Sequence, residues 1–170
     1  MIQQPQFDAP RIFHDVAALA QRYCDIIDLS GSDWKHWLRD IANLLPRLQV
    51  AVVSVGGEGR EVDPIGPIDL MDLDARFELF AHLRRLLADR DSYWLEFDYA
   101  GEGADAMTGS LADDLTDIYC ELKQGLLLYE LDPDDAIAVW SSGYERHWGR
   151  HLIDADRHLA MLGAQARLDR

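Results

Sequence analysis

The segment DPDDAIAVWSSGYERHWGRHLIDADRHLAML, residues 132–162, decides the fold. It opens with the marks of a helix start: Asp132 as N-cap, Pro133 at the first helical position, and a carboxylate, Asp135, at the third. Ile137, Trp140, Tyr144, Trp148, Leu152, Ala155, Leu159 and Leu162 then recur at steps of three and four. That spacing predicts one amphipathic helix of about seven turns, its apolar seam turned to a core.

The helix before it is announced as clearly. Ser110 is a natural N-cap, Asp113 and Asp114 sit where carboxylates favour the helix dipole, and Leu111, Leu115, Ile118, Leu122 and Tyr129 form the seam. The short connection at Leu131 and Asp132 makes these fourth and fifth helices antiparallel neighbours. Further back, a third helix is expected from Leu73 to Ala88, with Phe77, Phe80, Leu83 and Leu87 inside and Arg76, Arg84 and Arg85 outside. Between the third and fourth helices, DSYWLEFDYAGEGADAM (residues 91–107) lacks a lasting period. It reads as an irregular aromatic strap carrying Tyr93, Trp94, Phe97 and Tyr99, either packed on the bundle or forming a lip over a pocket.

Towards the N-terminus the second helix is expected to start at Ser32 and to carry Trp34, Trp37, Leu38, Ile41, Leu44, Leu45, Leu48, Val52 and Val55 in one phase across Pro46. A kinked but continuous helix is the favoured reading; a break at the proline or a short strand over residues 50–55 is the alternative. Gly56 to Pro67, with four glycines and two prolines, is a loop, a surface connection or a mobile flap. The first helix begins near Arg11, carries Ile12, Val16, Leu19, Tyr23 and Ile26 on its seam, and ends at Leu29-Ser30-Gly31. The chain is thus expected to be all-α: a loose terminus over residues 1–10 containing Phe7, then a single bundle domain of about five helices over 11–170.

Composition narrows the function. The 170 residues include 31 Asp and Glu against 16 Lys and Arg, a formal charge of −15 that repels phosphate backbones and anionic lipid surfaces. Nucleic acid and membrane are therefore not expected partners. Cys24 and Cys120 lie on helical patterns among apolar neighbours and read as buried reduced thiols, and with no secretion signal or long apolar span the expected location is cytoplasmic. His14, His36 and His82 read as surface or boundary residues. No GxSxG elbow, phosphate-binding P-loop or GxGxxG turn occurs.

The feature that could carry chemistry is a polar file on the fifth helix. His147, His151, Asp154 and His158 follow one another at intervals of four, three and four, so their directions fall within about 60°. The fourth helix carries its own edge, Asp114, Asp117 and Glu121, and the two edges are expected to face each other. Imidazole and carboxylate are the ligands of zinc, iron and manganese, and two histidines four apart on one face can chelate one ion. The spacing is neither the HExxH of zinc proteases nor the ExxH of di-iron bundles. The same residues also suit a hydrogen-bonded network that satisfies polar groups at the border of a core.

SLADDLTDIYCELKQGL (110–126) and AVWSSGYERHWGRHLIDADRHLAML (138–162) together resemble a family of small bacterial proteins catalogued as a domain of unknown function. In that family an Asp-Leu-x-Asp-Ile-Tyr segment precedes a His-Trp-Gly-x-His segment. The likeness is strongest over residues 90 to 162. It implies an all-helical bundle and draws attention to Asp114, Asp117, Tyr119, His147, Trp148, Gly149, His151 and Asp154, with no substrate attached. Gly149 inside a helix costs about 1 kcal/mol relative to alanine, which close approach of another helix or room for a ligand would justify.

Two functions remain in play. One is a binding or interaction protein with an unidentified protein or small-molecule partner, with self-association through an aromatic patch as an option. The other is a metal-dependent hydrolase or related enzyme using His147, His151, Asp154, Asp114 and Asp117, with Glu121, Tyr119, Trp148 and His158 lining the surrounding pocket or network.

Overall fold

The computed structural model describes residues 9–31, 35–56, 72–95 and 108–169. Phe7, Ser32, Trp34, Phe97, Tyr99 and nearly all of the Gly56–Pro67 loop lie outside the described residues. Helices α1 (Ala9–Asp28), α2 (Trp37–Val55) and α3 (Leu73–Leu87) are followed by a 3₁₀ turn, Ala88–Arg90, and a strand β1 (Ser92–Trp94). Strand β2 (Thr108–Ser110) leads directly into α4 (Leu111–Tyr129). A continuous helical run then comprises α5 (Pro133–Gly143), a π turn (Tyr144–Trp148) and α6 (Gly149–Ala164). Among the described residues the architecture is an all-α bundle with one small two-stranded ladder.

Helix α4 is central, packing against α1, α3, α5 and α6. Its seam residues Leu111, Leu115, Ile118 and Leu122 are fully buried, as are Tyr23 of α1, Leu38, Ile41 and Leu45 of α2, and Leu152 and Leu159 of α6. The caps lie where the sequence puts them: the Ser110 side chain accepts from the Asp113 amide, and the Asp132 carboxylate from the amides of Asp134 and Asp135. Buried Asp91 adds a second clamp on α4, its Oδ1 accepting from the Ala112 amide at 2.8 Å. Among the described residues no helix is long and apolar enough to cross a membrane.

Helix α2 runs unbroken through exposed Pro46, with buried residues from Trp37 to Val55 on both sides of it. Burial of both halves outweighs the hydrogen bond that proline removes. Its start differs from the expectation: the helix begins at Trp37, behind a Lys35–His36 turn with no side-chain cap bond. That turn is held from outside, His36 Nδ1 lying 3.1 Å from the Asp169 carboxylate near the C-terminus.

Helix α3 also departs from its pattern. Leu83 and Leu87 are buried and Phe80 half-buried, but Phe77 is 67% exposed. The inward stripe is Arg76, Phe80, Leu83, Leu87, in steps of four, three and four, and Phe77 stands about 100° away from it. Arg76 belongs to the inside because it meets a carboxylate of α4.

Tyr93 is extended and buried as a strap residue should be, while Trp94 is exposed. The strap is more regular than its sequence suggests: β1 and β2 pair antiparallel, with Tyr93 opposite Gly109. A Cβ on Gly109 would lie 2.3 Å from the Tyr93 ring, so glycine lets that ring cross the ladder.

The π turn is the largest surprise, although its trace was in the seam. Trp140, Tyr144, Trp148 and Leu152 follow at three successive steps of four, which in an ideal α-helix drift by about 120°. A wider turn takes up the excess and keeps the residues on one side. Gly149 belongs to this device: its amide donates to the Tyr144 carbonyl five residues back, and a Cβ would lie 2.4 Å from that oxygen. The atoms nearest that position all belong to Tyr144 and not to a neighbouring helix. Trp148, fully buried, donates from Nε1 to the Trp140 carbonyl at 3.2 Å and takes Tyr144 edge-on.

Candidate functional site

Asp114, Asp117 and Glu121 lie on one edge of α4, because steps of three and four return to the same side of a helix. The π turn and the first turn of α6 present His147 and His151 to that edge. His151 bridges two carboxylates: Nδ1 lies 2.8 Å from Asp114 Oδ1 and Nε2 3.2 Å from Asp117 Oδ2. His147 repeats the arrangement one turn earlier, Nδ1 standing 3.0 Å from Glu121 Oε1 and Nε2 3.9 Å from the same Asp117 Oδ2. The imidazole rings meet edge to face, 5.2 Å between centroids.

Each carboxylate has a further partner or a distinct exposure. Arg76 of α3 donates to Asp117 Oδ1. Tyr93 of β1 donates its hydroxyl to Asp114 Oδ2. Asp114 and Asp117 are buried, Glu121 is half-buried, and the His147 side chain is 45% exposed against 12% for His151. Solvent therefore reaches the cluster from the His147 side.

The electrostatics follow from this packing. Burial raises the Asp114 carboxyl above its ordinary range, against the opposing pull of hydrogen bonds from His151 and Tyr93. The hydrogen bond to Asp114 raises His151, opposed by burial and reinforced by Asp117. Burial and Asp114 together push the Tyr93 hydroxyl up, so it stays a donor at neutral pH.

Asp117 Oδ2 is the point on which both Nε2 atoms converge. Ligand atoms of Asp117, His147 and His151 all lie within 4.8 Å of one another. Asp114 and Glu121 stand behind them, each holding an imidazole Nδ1.

The remaining residues of the sequence pattern go elsewhere. Asp154 is one turn further along α6, 3.6 Å from Arg157, and faces a neighbouring cavity. His158 turns to the 3₁₀ turn, donating from Nε2 to the Arg90 carbonyl at 2.7 Å and stacking on Tyr93. Its buried Nδ1 has no partner among the described residues. Tyr119 points away from the cluster to α1, donating to Asp28 at 2.7 Å, and Trp148 belongs to the core. Arg76 and Tyr93 join the cluster without having been named for it. The signal for Arg76 was its place in the inward stripe of α3; for Tyr93 the sequence offered only an aromatic in a strap.

The cavity beside the cluster measures about 760 Å³ and lies between the strand ladder and α6. Tyr93, Asp114, His151 and Asp154 form part of its wall, while Asp117 and His147 do not. A groove of about 840 Å³ between α1 and α2, around Leu19, Pro46 and Val50, is built from other helices and shares none of these groups. Neither cysteine is in a disulfide, and burial pushes Cys24 up to about 12 and Cys120 to about 11, so neither offers a thiolate near neutrality.

The model of a family described as a domain of unknown function, DUF5063, matches residues 7–165, and the chain belongs to that family. Among solved structures, the crystal structure of protein BF1032 from Bacteroides fragilis is similar, with a TM-score of 0.75 and 20% identity over 94% of this chain and 95% of that one. At that identity the likeness concerns the fold. No curated protein matches the chain.

Proposed function

We propose that this DUF5063 protein binds a divalent transition-metal ion through Asp117 Oδ2, His147 Nε2 and His151 Nε2. The supporting observation is the orientation of the two imidazoles. Each gives Nδ1 to a separate carboxylate and turns Nε2 to one shared oxygen, the arrangement by which outer carboxylates fix the tautomer of metal-bound histidines. Ligands about 2.0 to 2.2 Å from a tetrahedral ion stand about 3.4 Å apart. The separations of 3.2 and 3.9 Å to Asp117 Oδ2 bracket that value. Charge supports the same reading: among the described residues, of the carboxylates Asp114, Asp117 and Glu121 only Asp117 meets a guanidinium, that of Arg76. Two nitrogen ligands and one carboxylate suit zinc better than magnesium or calcium.

Three protein ligands with solvent access on one side match catalytic rather than closed structural zinc sites. This favours, as a second reading, metal-dependent hydrolysis. An ion here would acidify a bound water, and a neighbouring carboxylate, Glu121 being the more exposed, would accept its proton.

The test is equilibrium dialysis of chelator-stripped, tag-free protein against zinc. About one ion per chain is expected, with binding lost in Asp117→Asn and His151→Ala and retained in His158→Gln. Absence of stoichiometric binding, or equal binding by the Asp117 and His151 variants, removes the proposal.

A further inference from the structure

We propose that the cavity between the strand ladder and α6 binds a small amphipathic anion, a carboxylate or phosphate group on an apolar body, with Arg150 as its principal cation. At about 760 Å³ it is the size of an ordinary small-molecule site. Phe80, Leu95, Ile153 and the ring of Tyr93 supply apolar wall. Ile153 is 52% exposed, an isoleucine that covers no core and faces this space.

The polar part of the lining decides the sign of the ligand. Two of its carboxylates are already engaged: Asp114 receives Tyr93 and His151, and Asp154 stands 3.6 Å from Arg157. Asp113 sits exposed at the rim, in the first turn of α4. Against these, Arg150 lines the cavity, is exposed, and forms no ion pair with a described residue. Its charge is close enough to act on His151. Arg157 lies seven residues on, two turns along the same face of α6, so a second guanidinium lines the same space. Arginine offers a planar fork of donors that fits carboxylate and phosphate alike.

His151 forms part of the wall but Asp117 and His147 do not, so the anion site adjoins the proposed ion and does not depend on it. The experiment therefore uses chelator-stripped full-length protein. Calorimetric titrations compare phenyl phosphate, phenylacetate and neutral benzyl alcohol. Saturable binding of at least one anion is expected, with benzyl alcohol at least about tenfold weaker, and the order of the two anions tells phosphate from carboxylate recognition. Arg150→Gln should weaken anion binding about tenfold and Arg157→Gln less. Arg47→Gln, in the groove between α1 and α2, should leave it unchanged. No saturable binding of either anion, benzyl alcohol as tight as the anions, or unchanged affinity in Arg150→Gln overturns the inference. A zinc titration on the same sample decides the ion separately: zinc without anion binding defeats this proposal alone, and anion without zinc binding defeats the other alone.

Discussion

The two halves of α4 face the same helical run and solve opposite problems. From Leu122 onward the contact with α5 is dry. Gly125 leaves room for the Trp140 indole, which lies 1.9 Å from where a Cβ would stand, donates to the Leu122 carbonyl at 3.4 Å and stacks on Tyr129. Up to Glu121 the contact with the π turn and α6 is polar, with Asp114 and Asp117 buried and two imidazoles between the helices. Burying carboxylates costs several kcal/mol even when they are paired. A fold that needed only to close would place leucines there. The dry half holds the helices together by apolar packing, and the other half carries the buried polar groups.

The largest effect should come from breaking the dry half. Trp140→Ala removes a fully buried indole whose cavity the Gly125 groove cannot fill, and should cost about 3 to 5 kcal/mol in urea unfolding. In the polar half, the double replacement of Asp114 and His151 by leucine should leave stability equal or higher, because buried ion pairs often contribute less than apolar packing of similar volume. Zinc binding should disappear in that variant and persist in the folded fraction of Trp140→Ala. A double variant as unstable as Trp140→Ala would end the contrast.

Asp114→Asn should be smaller and specific. The backing of His151 weakens while both proposed ligand nitrogens stay in place, and such outer partners typically change metal affinity about 10- to 100-fold. Dialysis against buffered zinc measures it, and an affinity equal to the parent's would reduce Asp114 to packing. Ser110→Ala, which removes the α4 cap shared by both halves, should cost about 1 kcal/mol in urea and leave zinc affinity unchanged in the folded protein.

How much of this could be read from the chain follows the same division. The dry seams were legible because burial imposes a period: Leu111, Leu115, Ile118 and Leu122, the caps at Ser110 and Asp132, and continuity through Pro46 all follow from local rules. The facing of Asp114 and Asp117 with His147 and His151 was legible too, from helix phase and a short connection. Asp154 and His158 share that phase and still diverge, because the partner helix ends and the ladder begins beside them. Arg76 and Tyr93 reach the cluster from α3 and β1, whose placement no local pattern encodes. The π turn was written in three steps of four, which look like an ordinary seam until their drift is counted.

The smallest expected effect is also the one that ties the two readings of the polar half together. In the metal-free protein the hydrogen bond to Asp114 raises His151 from its ordinary 6.5, and burial raises Asp114 from 3.8. Both groups then hold a proton more tightly folded than unfolded, so each contribution is greatest at low pH. That of Asp114 falls as pH rises above about 4 and that of His151 as pH rises above about 6.5. Raising the pH from about 6 to about 8 should therefore lower the urea midpoint of the stripped protein, a loss that His151→Gln, which lacks the titration, does not show. Zinc should reverse the sign, because ligand nitrogens must lose their protons and binding strengthens as pH rises. Midpoints measured at both pH values, with and without zinc, should give slopes of opposite direction for the parent chain and a common slope for His151→Gln. Parallel slopes in the parent would mean that His151 titrates as part of a structural network and that no ion competes with its proton.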